Sequence, residues 1–196
     1  METPSAVSAW RGVVVRGSAA RRRATRPDRD FDALLSAGRD AFAEHGPGAS
    51  LEDIARRAGV GIGTLYRNFP TRDALIGAVY VAEVEKLVAA ADDVAGLEPW
   101  SAIEQWVQHF IGFIGTKKAL ITSLNRESDA LISCRGAMYS AGAPLLVRAQ
   151  DAGIVRDDVS IEDVIRLISG VAGVAYADEA QRARVTGLAL DGLRTR

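Results

Sequence analysis

Apolar residues recur along most of the chain with the period of an α-helix. From Phe31 to Phe42 they lie three and four positions apart, and Gly46 follows as a helix stop. Comparable stripes occupy residues 71–91 and 103–114. No stretch alternates apolar and polar residues with the β-branched enrichment of a half-buried strand. The pattern therefore predicts an all-α protein without a sheet.

Capping signatures mark the start of two helices. Ser50 is followed three positions later by Asp53, and Ser160 is followed in the same way by Asp163. Each pair precedes an apolar stripe, so we expect a helix to begin at each of these positions. A last helix is expected over residues 178–193.

The middle of the chain predicts longer helices with interruptions. We expect a break over residues 92–99, and then helical pieces at 117–127 and 129–152. Pro144 lies inside the second piece and should kink or split it, because proline removes a helical hydrogen bond.

The segment AGVGIGTLYRNFP, residues 58–70, contains three glycines two positions apart. Such glycines suggest a phosphate-binding loop, but neither register completes G-x-G-x-x-G, and a predicted helix precedes the segment instead of a strand. No Gly-Lys-Ser/Thr occurs in the chain. These observations disfavour a nucleotide-binding loop.

The same segment fits the turn and second helix of a helix-turn-helix motif. Gly59 can take the positive φ that the turn needs, and Leu65 and Phe69 supply inward anchors. Polar side chains then fall on the N-terminal half of the second helix, where phosphates and base edges lie. Arg72 begins the next helix, where a phosphate contact is favoured. The predicted DNA-binding residues are Ser50, Ile62, Gly63, Thr64, Tyr66, Arg67, Asn68 and Arg72.

Structural alternatives stay open for these side chains. Tyr66 could be a buried tyrosine that bridges helices, and Arg67 and Asn68 could be ordinary solvated surface. Thr64 could hydrogen-bond only to its own helix.

Composition and charge add modest information. The net charge is −1, with basic residues in excess over residues 1–80 and acidic residues in excess over 81–196, as suits a protein that meets a polyanion at one end. Residues 1–29 are arginine-rich without a sustained apolar period, and we predict a disordered arm. That arm either touches DNA or is an extension with no role. A single cysteine excludes an internal disulfide and is consistent with the reducing cytoplasm.

The stretch ASLEDIARRAGVGIGTLYRNFPTRDALIGAV closely resembles the DNA-binding domain of the TetR family of bacterial transcriptional regulators. This likeness spans about residues 31–80. A weaker likeness covers LVRAQDAGIVRDDVSIEDVIRLISGV, residues 146–171, which resembles late ligand-domain helices of that family.

The resemblance implies an all-helical homodimer with a three-helix, N-terminal helix-turn-helix domain and a larger helical domain for effector binding and dimerisation. We place the DNA-binding domain at residues 30–75 and the larger domain at 76–196. Two positions depart from the family pattern. Gly61 replaces a usual serine cap, and apolar Ile62 replaces a polar residue, so that it would pack on a thymine methyl.

The larger domain contains candidates for an effector site. An aromatic stripe with one histidine on its flank could line a cavity, although the sequence alone favours a packed core for each residue. The candidate effector-binding residues are Trp106, His109, Phe110, Phe113, Asn125, Arg126, Cys134, Met138 and Tyr139.

No catalytic or metal-binding motif is present, so we expect neither an enzyme nor a cofactor. No run of 18 apolar residues predicts a membrane span. The expected function is a cytoplasmic, ligand-responsive regulator that binds double-stranded DNA as a homodimer and represses from a near-palindromic operator until a small effector releases it. The alternatives are a helical enzyme, or a partner-binding protein, that kept a helix-turn-helix shape.

Overall fold

The computed structural model describes residues 26–120 and 129–195. Within this part the secondary structure is helical, with no strand and one isolated bridge between Val155 and Arg194. The helices are α1 (Arg26–His45), α2 (Leu51–Arg57), α3 (Ile62–Asn68), α4 (Arg72–Val94), α5 (Pro99–Leu120), α6 (Asp129–Asp151), α7 (Ile161–Ala172) and α8 (Glu179–Asp191), with a 3-10 turn at Gly46–Gly48. The predicted all-α fold is confirmed.

The described residues form two compact units. The first contains residues 26–85, 116–120 and 129–133, and the second contains residues 86–115 and 134–195. Helix α4 contributes to both units, because its range crosses residue 85. The predicted domain boundary after residue 75 stays a prediction.

In the first unit the core forms where the apolar stripes of α1, α2 and α3 meet. The side chains of Leu34, Ile54 and Leu65 are fully buried. Phe31 at the start of α1 contacts Phe69 just after α3, with ring centroids 5.1 Å apart. A Cβ placed at Gly38 would lie 3.2 Å from a methyl group of Val79, so this glycine lets α1 and α4 approach closely. The inward role predicted for Leu65 and Phe69 is confirmed.

The turn between α2 and α3 closes α2 with a Schellman motif. The Gly59 N–H donates to the Arg56 carbonyl at 3.1 Å, and the Val60 N–H donates to the Ala55 carbonyl at 3.0 Å. Gly59 has φ +70°, which a residue with a Cβ adopts only at a cost. At the other end of α2 the predicted cap is present, because the Ser50 hydroxyl accepts from the Asp53 N–H at 3.2 Å.

The core of the second unit is built around Trp106 on α5. Its ring is fully buried and stacks near Phe110, with centroids 6.1 Å apart and planes 9° apart. The indole N–H donates to the Leu87 carbonyl at 3.1 Å, which satisfies its one polar atom. Gly142 of α6 lies against this ring, since a Cβ there would be 2.5 Å from it.

The C-terminal helices α7 and α8 pack on each other. Helix α7 begins with the predicted capping box, in which the Ser160 hydroxyl accepts from the Asp163 N–H at 3.2 Å and the Asp163 carboxylate accepts from the Ser160 N–H at 2.9 Å. Beyond α8, the Thr195 N–H donates to the Ile154 carbonyl at 3.0 Å. The chain after α8 is thereby tied to the loop that follows α6.

Several predicted boundaries differ from the structure. Residues 26–29, assigned to the disordered arm, form the first turn of α1, where a proline is tolerated and Asp28 complements the helix dipole. The remainder of that arm, residues 1–25, lies outside the described residues. The predicted break began at Asp92, but α4 continues to Val94, whose buried side chain extends the packed stripe by a turn.

The predicted pieces at 117–127 and 129–152 also differ. Residues 117–120 belong to α5, which packs onward to a buried Leu120, and residues 121–127 lie outside the described part. Pro144 does not split α6, which runs unbroken past it. Pro144 and Ser140 are both exposed, so the carbonyl that proline leaves without a helical partner lies on the solvated side.

Candidate nucleic-acid interface

Helix α3 presents a solvated face above buried anchors. Leu65 is fully buried, whereas Ile62 is 37% exposed and Tyr66 is 47% exposed. Ile62 and Tyr66 lie four positions apart and share a solvated strip of the helix, whereas Leu65 beside them is buried in the core. The buried-tyrosine alternative for Tyr66 is therefore not what the structure has. A helix that is anchored by buried side chains and keeps an exposed face has the geometry that insertion into a DNA groove requires.

The N-terminus of α3 has a weak cap. Gly61 occupies the N-cap position in an extended conformation, φ −74° and ψ 150°, and as a glycine it offers no side chain to cap the helix. A Cβ at Gly61 or at Gly63 would contact nothing within 4 Å in the part of the chain that the structure describes, so these residues leave the space in front of the helix open. Free backbone N–H groups at such an opening are suited to a phosphate oxygen.

The polar side chains of α3 hydrogen-bond within the helix. The Arg67 guanidinium donates to the Thr64 hydroxyl at 2.9 Å and to the Gly63 carbonyl at 3.2 Å. The Asn68 amide donates to the Thr64 carbonyl at 2.8 Å. Arg67 is exposed, whereas Thr64 and Asn68 are half-buried. The structure therefore gathers the predicted reading residues on one short helix, with Arg67 the most accessible of the three.

Ser50 and Arg72 lie at the edge of this surface. Ser50 is exposed, and besides capping α2 its hydroxyl donates to a Glu52 carboxylate oxygen at 3.0 Å. Arg72 is half-buried, and its Nη1 donates to the Pro47 carbonyl at 3.0 Å and to the Ala49 carbonyl. Both predicted contacts thus already have partners in the protein.

Arg57, Glu44 and Asp53 form an ion-pair cluster that connects α2 to α1 and is not among the predicted site residues. Arg57 donates to both carboxylate oxygens of Glu44, at 2.9 and 2.8 Å, and to Asp53 at 2.6 Å. The Arg57 hydrogen bonds lower the pKa of Glu44, and those from Arg56 and then Arg57 lower the pKa of Asp53. The spacing of Asp53 and Arg57 could have indicated their pairing. The contact with Glu44 has no sequence signal, because 13 positions separate the partners.

The candidate effector residues do not share one environment. Trp106, Phe110 and Phe113 are buried in the packed core of the second unit, as are Cys134 and Met138. Tyr139 is half-buried, whereas His109 is exposed to solvent. Asn125 and Arg126 lie outside the described residues.

A groove of about 430 Å³ lies between α4 and α6 in the second unit, and no sequence pattern predicts it. Its walls are mainly small apolar side chains, with the Asp92 carboxylate and the Ser140 hydroxyl as polar groups. The lining residues are Val88, Ala91, Asp92, Ala95, Ala137, Ser140, Ala141, Pro144 and Leu145. None of the predicted effector residues lines it. Alanine residues give little sequence signal for a ligand-binding groove. Pro144, a proline inside a predicted helix, is a feature that could have drawn attention to this part of α6.

In residues 26–120 and 129–195, no group of three or more His, Cys, Asp and Glu side chains is placed to hold a metal ion. No helix in that same part of the chain has the length and apolarity needed to cross a membrane.

Helices α1, α2 and α3 share a buried core, and α3, which follows the glycine turn, keeps an exposed face. This arrangement defines a helix-turn-helix DNA-binding regulator. Comparisons with known families agree with this class. Residues 34–79 match the model of the bacterial regulatory proteins of the tetR family, and residues 98–195 match the C-terminal domain model of SbtR-like transcriptional regulators. The chain belongs to the TetR family of bacterial transcriptional regulators.

Solved structures support the same assignment over most of the chain. The crystal structure of the TetR transcriptional regulator SCO0520 from Streptomyces coelicolor is 38% identical, with 83% of this chain and 97% of that chain covered at a TM-score of 0.72. A TetR transcription regulatory protein from Mycobacterium vanbaalenii is 31% identical, with 86% and 97% covered and a TM-score of 0.70.

Curated relatives match over a shorter stretch. The HTH-type transcriptional repressor Rv3405c of Mycobacterium tuberculosis is 52% identical over 48 residues, 24% of this chain. The match spans about a quarter (26%) of that repressor's length.

Proposed function

We propose that this regulator is a dimeric repressor that leaves a near-palindromic operator when a small effector binds its second unit. The observation that carries the proposal is the surface of α3, where Tyr66 and Arg67 are exposed while Leu65 anchors the helix in the core. The family assignment supports DNA binding, and the repressor named among the relatives shares the matched N-terminal stretch.

The proposed contacts divide by chemistry. The open N-terminus of α3 at Gly63, with the Thr64 hydroxyl, suits phosphate oxygens. Arg67 and Asn68 carry side chains able to read base edges, and Ile62 suits a thymine methyl. For Arg67 to reach a base it exchanges its bond to Thr64 for one to DNA, and this exchange costs little because both groups are exposed or half-exposed.

Dimerisation is proposed through α7 and α8. Leu167 on α7 is 41% exposed and Leu188 on α8 is 71% exposed, although both helices also bury apolar residues within the unit. Gly170 and Gly187 have open space where a Cβ would be, so a second helix could approach closely. An isologous four-helix contact would bury these leucines from both copies. Two-fold symmetry would place the two α3 helices about 34–36 Å, or a multiple of this, apart on DNA.

The effector is proposed to act through α4, since this helix begins just after α3 and ends at the wall of the groove. A ligand releases DNA if it binds the DNA-incompetent conformation more tightly, and a pivot of α4 is the movement we propose. The groove's volume of about 430 Å³ is within the range of small-molecule sites. Aromatic residues of the core, led by Phe110, are the alternative location.

The test is binding of the full chain to DNA from beside its own gene. Fluorescence anisotropy should show a sequence-specific complex at moderate salt that weakens steeply as salt rises, because counterions are released on binding. Tyr66→Ala should weaken this complex, whereas Arg156→Ala, at an exposed position in the loop after α6, serves as a surface control. A dimer that shows no preference for any of this DNA over random sequence would refute the proposal.

Effector candidates can be found by thermal shift against a metabolite library. A ligand at 100 times its dissociation constant stabilises the protein by about 2.7 kcal/mol. A hit should also lower operator affinity. Ala141→Trp should abolish the response if the groove is the site, because the indole would occupy its volume.

A further inference from the structure

Arg72 has a different environment from the other arginines of the motif. Its side chain is half-buried at the first position of α4, and its Nη1 donates to two backbone carbonyls, those of Pro47 and Ala49. These acceptors lie 25 and 23 positions earlier in the chain. The contact is therefore tertiary, unlike the bonds of Arg67, which remain within α3.

The two carbonyls belong to the turn that joins α1 and α2. Its 3-10 segment Gly46–Gly48 has no side-chain cap, and the Ala49 N–H donates to the Gly46 carbonyl at 3.1 Å. Ala49 is 2% exposed, so its carbonyl needs a partner inside the protein. Arg72 supplies a charged donor to it, and a hydrogen bond from a charged group is stronger than a neutral one.

This turn determines where α2 begins. Ser50 follows Ala49 directly and is the N-cap of α2, and α2 in turn packs on α3. A shift of the turn would therefore move the whole helix-turn-helix motif relative to α4. Hydrogen bonds from its own backbone and from Ser50, and then the charge of Arg72, lower the pKa of Glu52 in the first turn of α2. An approaching phosphate would meet that carboxylate near the guanidinium.

We infer that Arg72 is a positioning residue that clamps the α1–α2 turn to the start of α4, and that it affects operator binding through this turn instead of through a DNA phosphate. The inference rests on the proposed function for its DNA readout, but the clamp itself is measurable without DNA.

The experiment compares full-length Arg72→Gln and Arg72→Lys with wild type, and uses Arg56→Gln as the control. Arg56 lies in the same motif and its loss removes the same charge, but it is exposed and pairs with Asp53 of its own helix. Two quantities are measured: the dependence of operator affinity on salt, and the hydrogen-exchange rate of the Ala49 amide.

The clamp predicts that Arg72→Gln weakens operator binding about tenfold, as expected for one charged hydrogen bond, with an unchanged salt slope and unchanged operator preference. The Ala49 amide should exchange about tenfold faster. Arg72→Lys should behave similarly, because its side chain is one bond shorter and does not reach both carbonyls. Arg56→Gln should leave Ala49 exchange as in wild type.

A phosphate contact predicts a different result. Arg72→Gln would reduce the magnitude of the salt slope by about 0.9, and Arg72→Lys would retain the slope. Either a reduced slope in Arg72→Gln or an unchanged Ala49 exchange rate overturns the inference. If the wild type binds no operator, the proposed function fails, and the exchange measurement alone then supports or overturns the clamp.

Discussion

Replacing Gly59 by alanine should destabilise the protein through backbone strain alone. Gly59 has φ +70°, and a Cβ there would contact nothing within 4 Å, so no steric clash contributes. The left-handed conformation costs a residue with a Cβ about 1–2 kcal/mol. Alanine recovers about 0.4–1 kcal/mol by restricting the unfolded chain. We therefore expect a net loss of about 1 kcal/mol in the free energy of unfolding.

The assay is urea unfolding of the full chain at one fixed protein concentration, since dimerisation would otherwise shift the midpoint. Gly63→Ala is the matched control, because Gly63 lies four positions later in helix α3, at negative φ and with the same open space. It should stabilise by about 0.5 kcal/mol, because alanine is the better helix former. Opposite signs are the essential result. Equal effects, or a neutral Gly59→Ala, would show that strain at the turn is not what selects glycine.

Three further outcomes can be measured. Gly142→Ala should cost about 1–3 kcal/mol in urea unfolding, because its methyl would lie 2.5 Å from a buried tryptophan ring, and a cost below about 0.3 kcal/mol would contradict that packing. Leu188→Arg should shift the full chain from dimer to monomer in analytical ultracentrifugation. Burial of the exposed leucine in a dimer would contribute about 1.5–3 kcal/mol from each copy, and the variant loses this contribution. An unchanged dimer would exclude this part of α8 from the interface. The pKa values of Glu44 and Asp53 are lowered in the folded state, so their contribution to stability is present above their unfolded pKa values and is lost as acid protonates them. Arg57→Gln should flatten this loss of unfolding free energy below about pH 5. Parallel curves of unfolding free energy against pH for the variant and the wild type would contradict the role of the cluster.

Much of the helical framework could be predicted because its signals are local. The caps at Ser50 and Ser160 and the turn at Gly59 depend on residues within a few positions, and the structure contains all three. The predicted break at Asp92 places the end of α4 too early, since the helix continues to Val94. The buried Val94 continues the helix, and its burial depends on residues far along the chain.

The predicted reading residues also have mostly local origins. Thr64, Arg67 and Asn68 fall on one helix because the pattern of that helix places them there, and their hydrogen bonds stay within it. Arg72 differs, since sequence spacing indicates a phosphate contact at a helix start, while the folded chain offers two carbonyls from the α1–α2 turn. No pattern in the sequence pairs these positions.

Periodicity, caps and turn glycines thus specify the helices and the motif before any tertiary contact forms, because each depends on hydrogen bonds and side-chain directions within about one helical turn. Folding adds the contacts between distant positions. It packs Trp106 against Gly142, pairs Arg57 with Glu44 and opens the groove between α4 and α6. These features depend on how closely helix backbones approach in three dimensions, and that distance is set by the packing of all their side chains together.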